Sequence, residues 1–392
     1  MRHSTCLQTI LVSPFAILYV VLTCPTASLA DEASAIAWVE QNKGKVIRDE
    51  THPDRPVVEV HTYNYLGGDG KKVTDAGLNQ IAAFTKLKRL DLSGSHVTDA
   101  GMATLARCKN LEELNLSDTE VTDEGIEKLA PLKSLRVVEL SSMPITDRSL
   151  ESLARHHQLV KIDIQCSPIT GVGLKHLASL TNLTQLSVHH SQITDAGAKS
   201  LAQLTQLREL SLGWCQNITD EGIKELSALK NLCYLSLYNN KTVTDLSLRE
   251  VAKLENLERL DLSLTSVSDA GLKELTKLEN LQHLDLSYTS VSDAGLKELA
   301  KLKELRSLGL HKTKATDAGM QHLTSFENLT YLGLYYTRIS DEGFAILASS
   351  KNLQRSLKRL GVYRSKISKK EVELLKKKLP NCTIANWYSD CI

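Results

Sequence analysis

From about residue 73 onward, leucine, isoleucine and valine return on a fixed schedule. Each stretch carries L-x-x-L-x-L, as at Leu87, Leu90 and Leu92 or at Leu281, Leu284 and Leu286. Between these stretches lies a polar phrase, VTDAGL at 73–78, which recurs as VTDEGI, ITDRSL, ITDAGA, ITDEGI, VTDLSL, VSDAGL, ATDAGM and ISDEGF. Its aspartate stands at positions 75, 99, 123, 147, 195, 220, 245, 269, 293, 317 and 341, and Gly171 occupies the one missing place. The spacing is 24 residues, stretched to 25 in two units. Twelve units run from about Val73 to Lys366, and a degenerate thirteenth, ISKKEVELLKKKLP, follows a four-residue insertion near Gln354–Leu357.

This pattern predicts two elements per unit. In L-x-L the side chains alternate, so the leucines point inward and their neighbours outward, as in a short strand. The Thr/Ser-Asp pair then caps a short helix, GLKELTKL in one unit, with apolar residues at i, i+3 and i+4. Each aspartate is expected to cap its own helix and to meet the positive end of its dipole. No unit can bury its apolar face alone, so neighbours stack and the strands join one parallel sheet. At roughly 4.8 Å per strand this sheet would be on the order of 60 Å long. Helices are wider than strands, so the stack curves with the strands on its concave side.

Period, leucine spacing and copy number identify the chain as resembling the leucine-rich repeat proteins. The T-D-x-G-L phrase in units of 24–25 residues resembles both the cysteine-containing repeats of F-box leucine-rich proteins and the ITDAGL-type repeats of bacterial extracytoplasmic proteins. The resemblance implies an α/β solenoid shaped as a curved horseshoe, with a parallel concave sheet, short convex helices and about 12–13 repeats. In such repeats Asn or Cys follows the last strand leucine by three residues and bonds backbone in a ladder. Here that column reads Ser95, Thr119, Met143, Ser167, Ser191, Cys215, Asn240, Thr265, Thr289, Thr313, Thr337 and Ser365. Hydroxyls are able to take the same role.

The flanks depart from the period. Arg2 and His3, an apolar run over residues 10–23, and small residues up to Ala30 have the three-part layout of a secretory signal. Residues 1–30 are therefore expected to be a leader cleaved after Ala30, with an uncleaved anchor as the alternative. Residues 31–72 are an N-terminal cap with a short helix in AIAWVEQNKGKVIRDE and VVEVHTY as an extra edge strand, 73–366 the repeats, and 367–392 a C-terminal cap. Cleavage would leave no membrane span and would place the protein in a secreted, periplasmic or cell-surface setting.

Charge and composition narrow the chemistry. Lys and Arg number 47 against 46 Asp and Glu, a net charge of +1, which argues against nucleic acid as a partner. Cys108 and Cys215 read as reduced core residues, while Cys382 and Cys391 share the terminal cap, free to bridge or to stay reduced in an exported protein. The paired histidines differ in place: His156-His157 precede a strand leucine and read as solvated, and His189-His190 end a strand. Neither pair has a third ligand, so no metal or cofactor is expected. No nucleophile elbow, phosphate loop, dinucleotide fingerprint or zinc-protease motif occurs, so no enzyme activity is expected. Six N-x-S/T sequons largely follow the N-L-x-x-L wording of the repeat.

Written as L-x-x-L-x-L-x-x, each unit presents its third, fifth, seventh and eighth residues on the concave face. The early units are small, polar and acidic there (Arg89, Asp91, Glu113, Asn115, Asp118). Units nine to twelve present Tyr288, His311, Lys312, Tyr331, Tyr335, Tyr336, Arg359, Tyr363 and Arg364, the first candidate site. Units five to seven present His189, His190, Trp214, Tyr234, Tyr238 and Asn239, the second. Gly309, Gly333 and Gly361 hold the fifth position in three consecutive units, which marks a close approach: a ligand's ring, or the tyrosines covering their own bare strand. Tyr, Trp, Arg and His together are the types that dominate binding hot spots. The reading is an exported, non-enzymatic recognition module that takes a protein or peptide on its concave face. The alternatives are a glycan or cell-wall binder, a surface scaffold without a specific ligand, and last an F-box-like ubiquitin-ligase adaptor.

Overall fold

A computed structural model describes residues 31–62 and 73–386. They form one sheet of fifteen strands whose spatial order is the chain order. The first strand, β1 (Lys45–Arg48), pairs antiparallel with β2 (Val57–His61). β2 then pairs in parallel with the strand of unit one, Arg89–Asp91. Every later pairing is parallel, through Arg359–Gly361 of unit twelve to the last strand, Thr383–Ala385. The segment VVEVHTY is thus the second strand rather than the edge, and the antiparallel β1 takes the exposed position.

The register follows from burial. Leu90, Leu114, Val138, Ile162 and Leu186 face one another across successive strands, and Leu260, Leu284, Leu308, Leu332 and Leu360 continue the row. All of these side chains are buried. A slip by one residue would turn each of them to solvent, so the leucine period alone fixes the pairing. Most helices of the repeats, such as Asp99–Leu105 and Asp293–Leu299, have seven residues. Helices of that length are unstable alone and exist here through the packing of residues such as Met102, Leu105, Leu296 and Leu299.

The T-D pair joins units, which corrects the expectation that each aspartate caps its own helix. Thr98, Thr122 and Thr146 are the N-caps, accepting from the backbone N–H two residues on. The aspartate, one position later, reaches forward to the next unit. Asp75 accepts from the Thr98 N–H (2.8 Å) and the Thr98 hydroxyl (2.7 Å), and Asp245 does the same for Ser268 (2.8 and 2.6 Å). All eleven aspartates of the phrase accept a backbone N–H from the following unit. The glycine of T-D-x-G makes room for this bond: a Cβ on Gly271 would stand 2.6 Å from Asp245 Oδ1. Where serine replaces glycine, at Ser149 and Ser247, its hydroxyl donates to that same aspartate oxygen.

The ladder breaks once. At the position of the missing aspartate Gly171 adopts φ +94°, its Cα lies against Gly197, and the helix that follows, Val172–Ser179, is 3-10 rather than α. The Thr194 N–H turns to the Thr170 carbonyl at 3.4 Å. A second ladder runs along the loops before the strands. Asn110, Asn182, Asn231, Asn256, Asn280 and Asn328 each donate a side-chain N–H to a carbonyl of the preceding unit. The sequon asparagines 182 and 328 therefore have the amide that a glycan would take already engaged.

The column after the strands bonds differently from the expected ladder. Thr119, Thr265, Thr289, Thr313 and Thr337 donate to the carbonyl three residues back in their own unit. Asn240 and Cys215 reach the preceding unit, at Leu212 O and Val188 O. His156 is a correction: it is 1% exposed, with Nδ1 2.9 Å from the Leu132 carbonyl. It occupies the helix-side column of Cys108 and Leu132, so its ring fills core volume.

Each end is shielded. The helix Glu32–Gln41 buries Ala35 and Val39, and its Trp38 ring lies over Gly77. The insertion near residue 354 is taken up by an extra helix, Lys351–Ser356, and the thirteenth unit supplies the helix Lys369–Lys378 and the last strand. Asp341 still bonds the Ser368 N–H (2.7 Å), but Lys369 replaces the next aspartate and the ladder ends. No helix among the described residues is long and apolar enough to cross a membrane. Residues 1–30 and Cys391 lie outside the described residues, and with them the leader and the Cys382–Cys391 bridge.

Candidate functional site

The eighth position of every unit lies in the left-handed backbone region. From Asp118 through His190, Trp214, Asn239, Tyr288, Lys312 and Tyr336 to Arg364, φ runs between 51° and 59°. This conformation costs about 1 kcal/mol for a residue with a Cβ. Its N–H is nevertheless used: Tyr288 donates to His311 O (2.7 Å), Lys312 to Tyr335 O (2.8 Å) and Tyr336 to Tyr363 O (3.0 Å). The turn throws the eighth side chain onto the rim of the concave face, in rows about 4.8 Å apart.

In units nine to twelve the rings interlock. His311 stacks on Tyr335 at 4.4 Å, and Tyr363 meets Tyr335 and Tyr336 edge-on at 6.5 and 5.8 Å. The His311 Nδ1 accepts the Tyr335 N–H (3.1 Å), and its Nε2 lies 3.2 Å from the Tyr331 hydroxyl. Lys312 Nζ stands 5.3 Å over the Tyr288 ring, and Arg364 stands 5.4 Å over both Tyr336 and Tyr363. Arg364 Nε also donates to the Tyr363 hydroxyl (3.1 Å), which raises its pKa further.

The three glycines are explained from within. A Cβ on Gly361 would stand 2.6 Å from the Tyr335 ring, and one on Gly333 would meet His311 Nε2 at 2.6 Å. Asp285 lies over Gly309 in the same way. Tyr335 is therefore only 4% exposed, packed over its neighbour's bare strand, and is corrected from a contact residue to part of the floor. Tyr288 and Tyr336 are exposed, Tyr331 and Tyr363 half-buried, and Lys312, Arg359 and Arg364 exposed.

The second patch is built alike. His189 leans over Gly213 and stacks on Tyr238 at 6.1 Å, while Trp214 meets His190 and Tyr238 edge-on at 5.5 and 6.2 Å. Trp214 and His190 are exposed and flank a hollow with Cys166, Pro168 and Gln216. Tyr234 lies under the Arg259 guanidinium at 4.8 Å, which also pairs with Glu209 (2.9 Å). Asn239 is buried, a second correction.

Burial depresses the basicity of His189, His283 and His311, so the positive charge of this face comes from Lys and Arg. Burial pushes the Asp261 carboxyl up to about 6 against the bonds it accepts from Ser263, and the adjacent Asp285 adds to the rise. Cys382 is half-buried and its thiol is pushed up to about 12 by burial.

Two features were missed in the sequence. One is a hollow at the first units lined by Glu59, His61, Arg89, Asp91, Glu113 and Glu139. There Arg89 and His61 both bond Glu59, holding its carboxyl below its usual value although burial opposes this. Glu59 lies in the cap, outside the period, so no column pointed to it. The other is a tenth position, two residues past the rim, where Lys314, Arg338 and Lys366 stand exposed.

A family model described as "Leucine-rich repeat region" matches residues 72–340. Among solved structures, an internalin of Listeria monocytogenes is 22% identical, with 91% of this chain and 94% of that chain covered and a TM-score of 0.62. A leucine-rich repeat protein of Leptospira interrogans is 24% identical, covering 78% and 79%, with a TM-score of 0.39. No curated protein matches the sequence.

Proposed function

The chain belongs to the leucine-rich repeat family, and on that premise we propose that it is an exported, non-enzymatic recognition module that binds a protein or peptide on its concave face. Solenoids of this kind offer a long shallow surface with residues from many units, suited to extended partners. One observation carries the reading. Six large hydrophobic residues are exposed among those described, and three of them, Trp214 (40%), Tyr288 (42%) and Tyr336 (37%), share the eighth position on the rim. A fold that buries its leucines almost completely thus exposes rings in one row. Large exposed rings flanked by cations are the groups that anchor interfaces.

The test is selection of twelve-residue peptides from a random display library against the full chain. The selected peptides are expected to lose at least tenfold in affinity on the Trp214→Ser, Tyr288→Ser, Tyr336→Ser triple variant. Tyr335 is left intact because its ring supports the floor. Unchanged affinity, or failure to select any peptide, overturns the reading. Intact mass of the exported protein tests the leader: a mass that begins at Asp31 supports export, and a retained Met1 contradicts it.

A further inference from the structure

The eighth and tenth positions of successive units change sign along the solenoid. Unit two carries Asp118 and Glu120, with Glu120 paired to His96 at 3.1 Å. Units three to five carry Ser142 and Pro144, Cys166 and Pro168, His190 and Gln192. Units six to nine carry one cation at these positions, the exposed Lys241, and units ten to twelve carry Lys312 and Lys314, Tyr336 and Arg338, Arg364 and Lys366. These five cations are exposed, and none forms an ion pair with a carboxylate among the described residues. Asp317 and Asp341, each three residues after Lys314 and Arg338, are engaged by Ser340 and Ser368 in the ladder.

We propose that this rim is the docking site for a short acidic segment of a partner polypeptide, with its carboxylates on Lys312, Lys314, Arg338, Arg364 and Lys366 and its apolar side chains on Tyr288 and Tyr336. The proposal rests on the protein-binding reading and names the chemistry of what is bound.

Three points favour that occupant. The cations sit on three successive units, so they span about 10 Å, the length of three or four extended residues at roughly 3.3 Å each. That suits a cluster of acidic side chains and is too short for a long polyanion. The ammonium of Lys312 and the guanidinium of Arg364 rest on Tyr288, Tyr336 and Tyr363. Rings hold the cations in place without neutralising them, so a carboxylate meets full positive charge beside an apolar ring. The chain as a whole carries a net charge of +1, so this local excess is a feature of one rim rather than of a basic protein.

The test uses the full chain and three fluorescein-labelled probes read by anisotropy: a peptide of four glutamates flanked by tyrosines, the same peptide with lysines for glutamates, and an eight-nucleotide single-stranded DNA. The glutamate peptide is expected to bind in the micromolar range and to weaken at least tenfold between 50 and 300 mM salt. The variant Lys312→Glu, Arg338→Glu, Arg364→Glu is expected to lose at least tenfold in affinity while keeping its melting temperature. Reversal of Lys86, Lys133 and Lys175, which lie away from the rim, is expected to change nothing. Equal binding of the glutamate and lysine peptides, or DNA binding as tight as that of the glutamate peptide, overturns the proposal. So does unaltered affinity in the rim variant. If display-selected peptides bind the concave face and the glutamate peptide does not, the acidic-segment proposal falls and the protein-binding reading stands.

Discussion

Along the helix-side margin, aspartates 75 to 341 do the same thing in every unit but the fifth, where Gly171 stands: each accepts donors from the next. Along the concave rim, the equivalent backbone position holds Gly94, Asp118, Trp214, Leu264, Lys312 or Arg364, all in the same left-handed turn. The margin repeats its side chain because the bond is made between units, and a change at one unit leaves the next with unpaired donors. The rim repeats only its backbone. Its N–H and C=O are satisfied from strand to strand, so the side chain is released from structural duty and is open to vary.

The contrast is broken most strongly on the margin. Asp269→Ala removes acceptors for the Ser292 N–H and hydroxyl (2.7 and 2.5 Å) and the Gly295 N–H (3.0 Å). Leaving part-buried donors without partners is expected to cost about 2–4 kcal/mol in denaturant unfolding, with peptide affinity at the rim retained. A loss below about 0.5 kcal/mol would mean that water replaces the carboxylate and that the ladder is decorative.

A smaller effect tests where the rim itself becomes structural. Gly361→Ala places a Cβ 2.6 Å from the Tyr335 ring and is expected to cost about 1–3 kcal/mol by overpacking. In the Tyr335→Ala background the same substitution is expected to cost less than about 0.5 kcal/mol, because the ring it strikes is gone. Equal costs in both backgrounds would show that Tyr335 does not lie on Gly361.

The smallest effect is in pH, and its sign differs between the two faces. Asp261 has a folded-state pKa raised to about 6, so its protonated form is stabilising and stability falls as pH rises from about 4 through 6. His156 is held neutral by burial, against its bond to the Leu132 carbonyl, so stability falls as pH drops below its ordinary value of 6.5. Melting curves between pH 4 and 7 are expected to show Asp261→Asn removing the first slope and His156→Leu the second. A slope that survives its own substitution belongs to another group.

Much of this was readable in one dimension. Twelve units, inward leucines, the place of the strand in each unit and the two ring-bearing stretches all follow from a 24-residue period with alternation inside it. The signal persists because neighbouring units are alike, so every strand meets the same partner. The individual roles of His156, Tyr335 and Asn239 were not readable, since each depends on one unit differing from the next. His156 is polar, yet its column is a leucine column and its ring fills that space.

What the sequence alone determined is the solenoid: periodicity in apolar residues requires stacking, and stacking in chain order requires a parallel sheet. The tertiary structure decided which oxygen meets which hydrogen across a gap of 23 or 24 residues. It turned the aspartates forward, laid Tyr335 over Gly361, and left Tyr288, Tyr336 and five cations uncovered on one rim. Those outcomes depend on the rise between units and on the direction in which a left-handed turn points its Cβ. Both are properties of the stacked chain and of no single repeat.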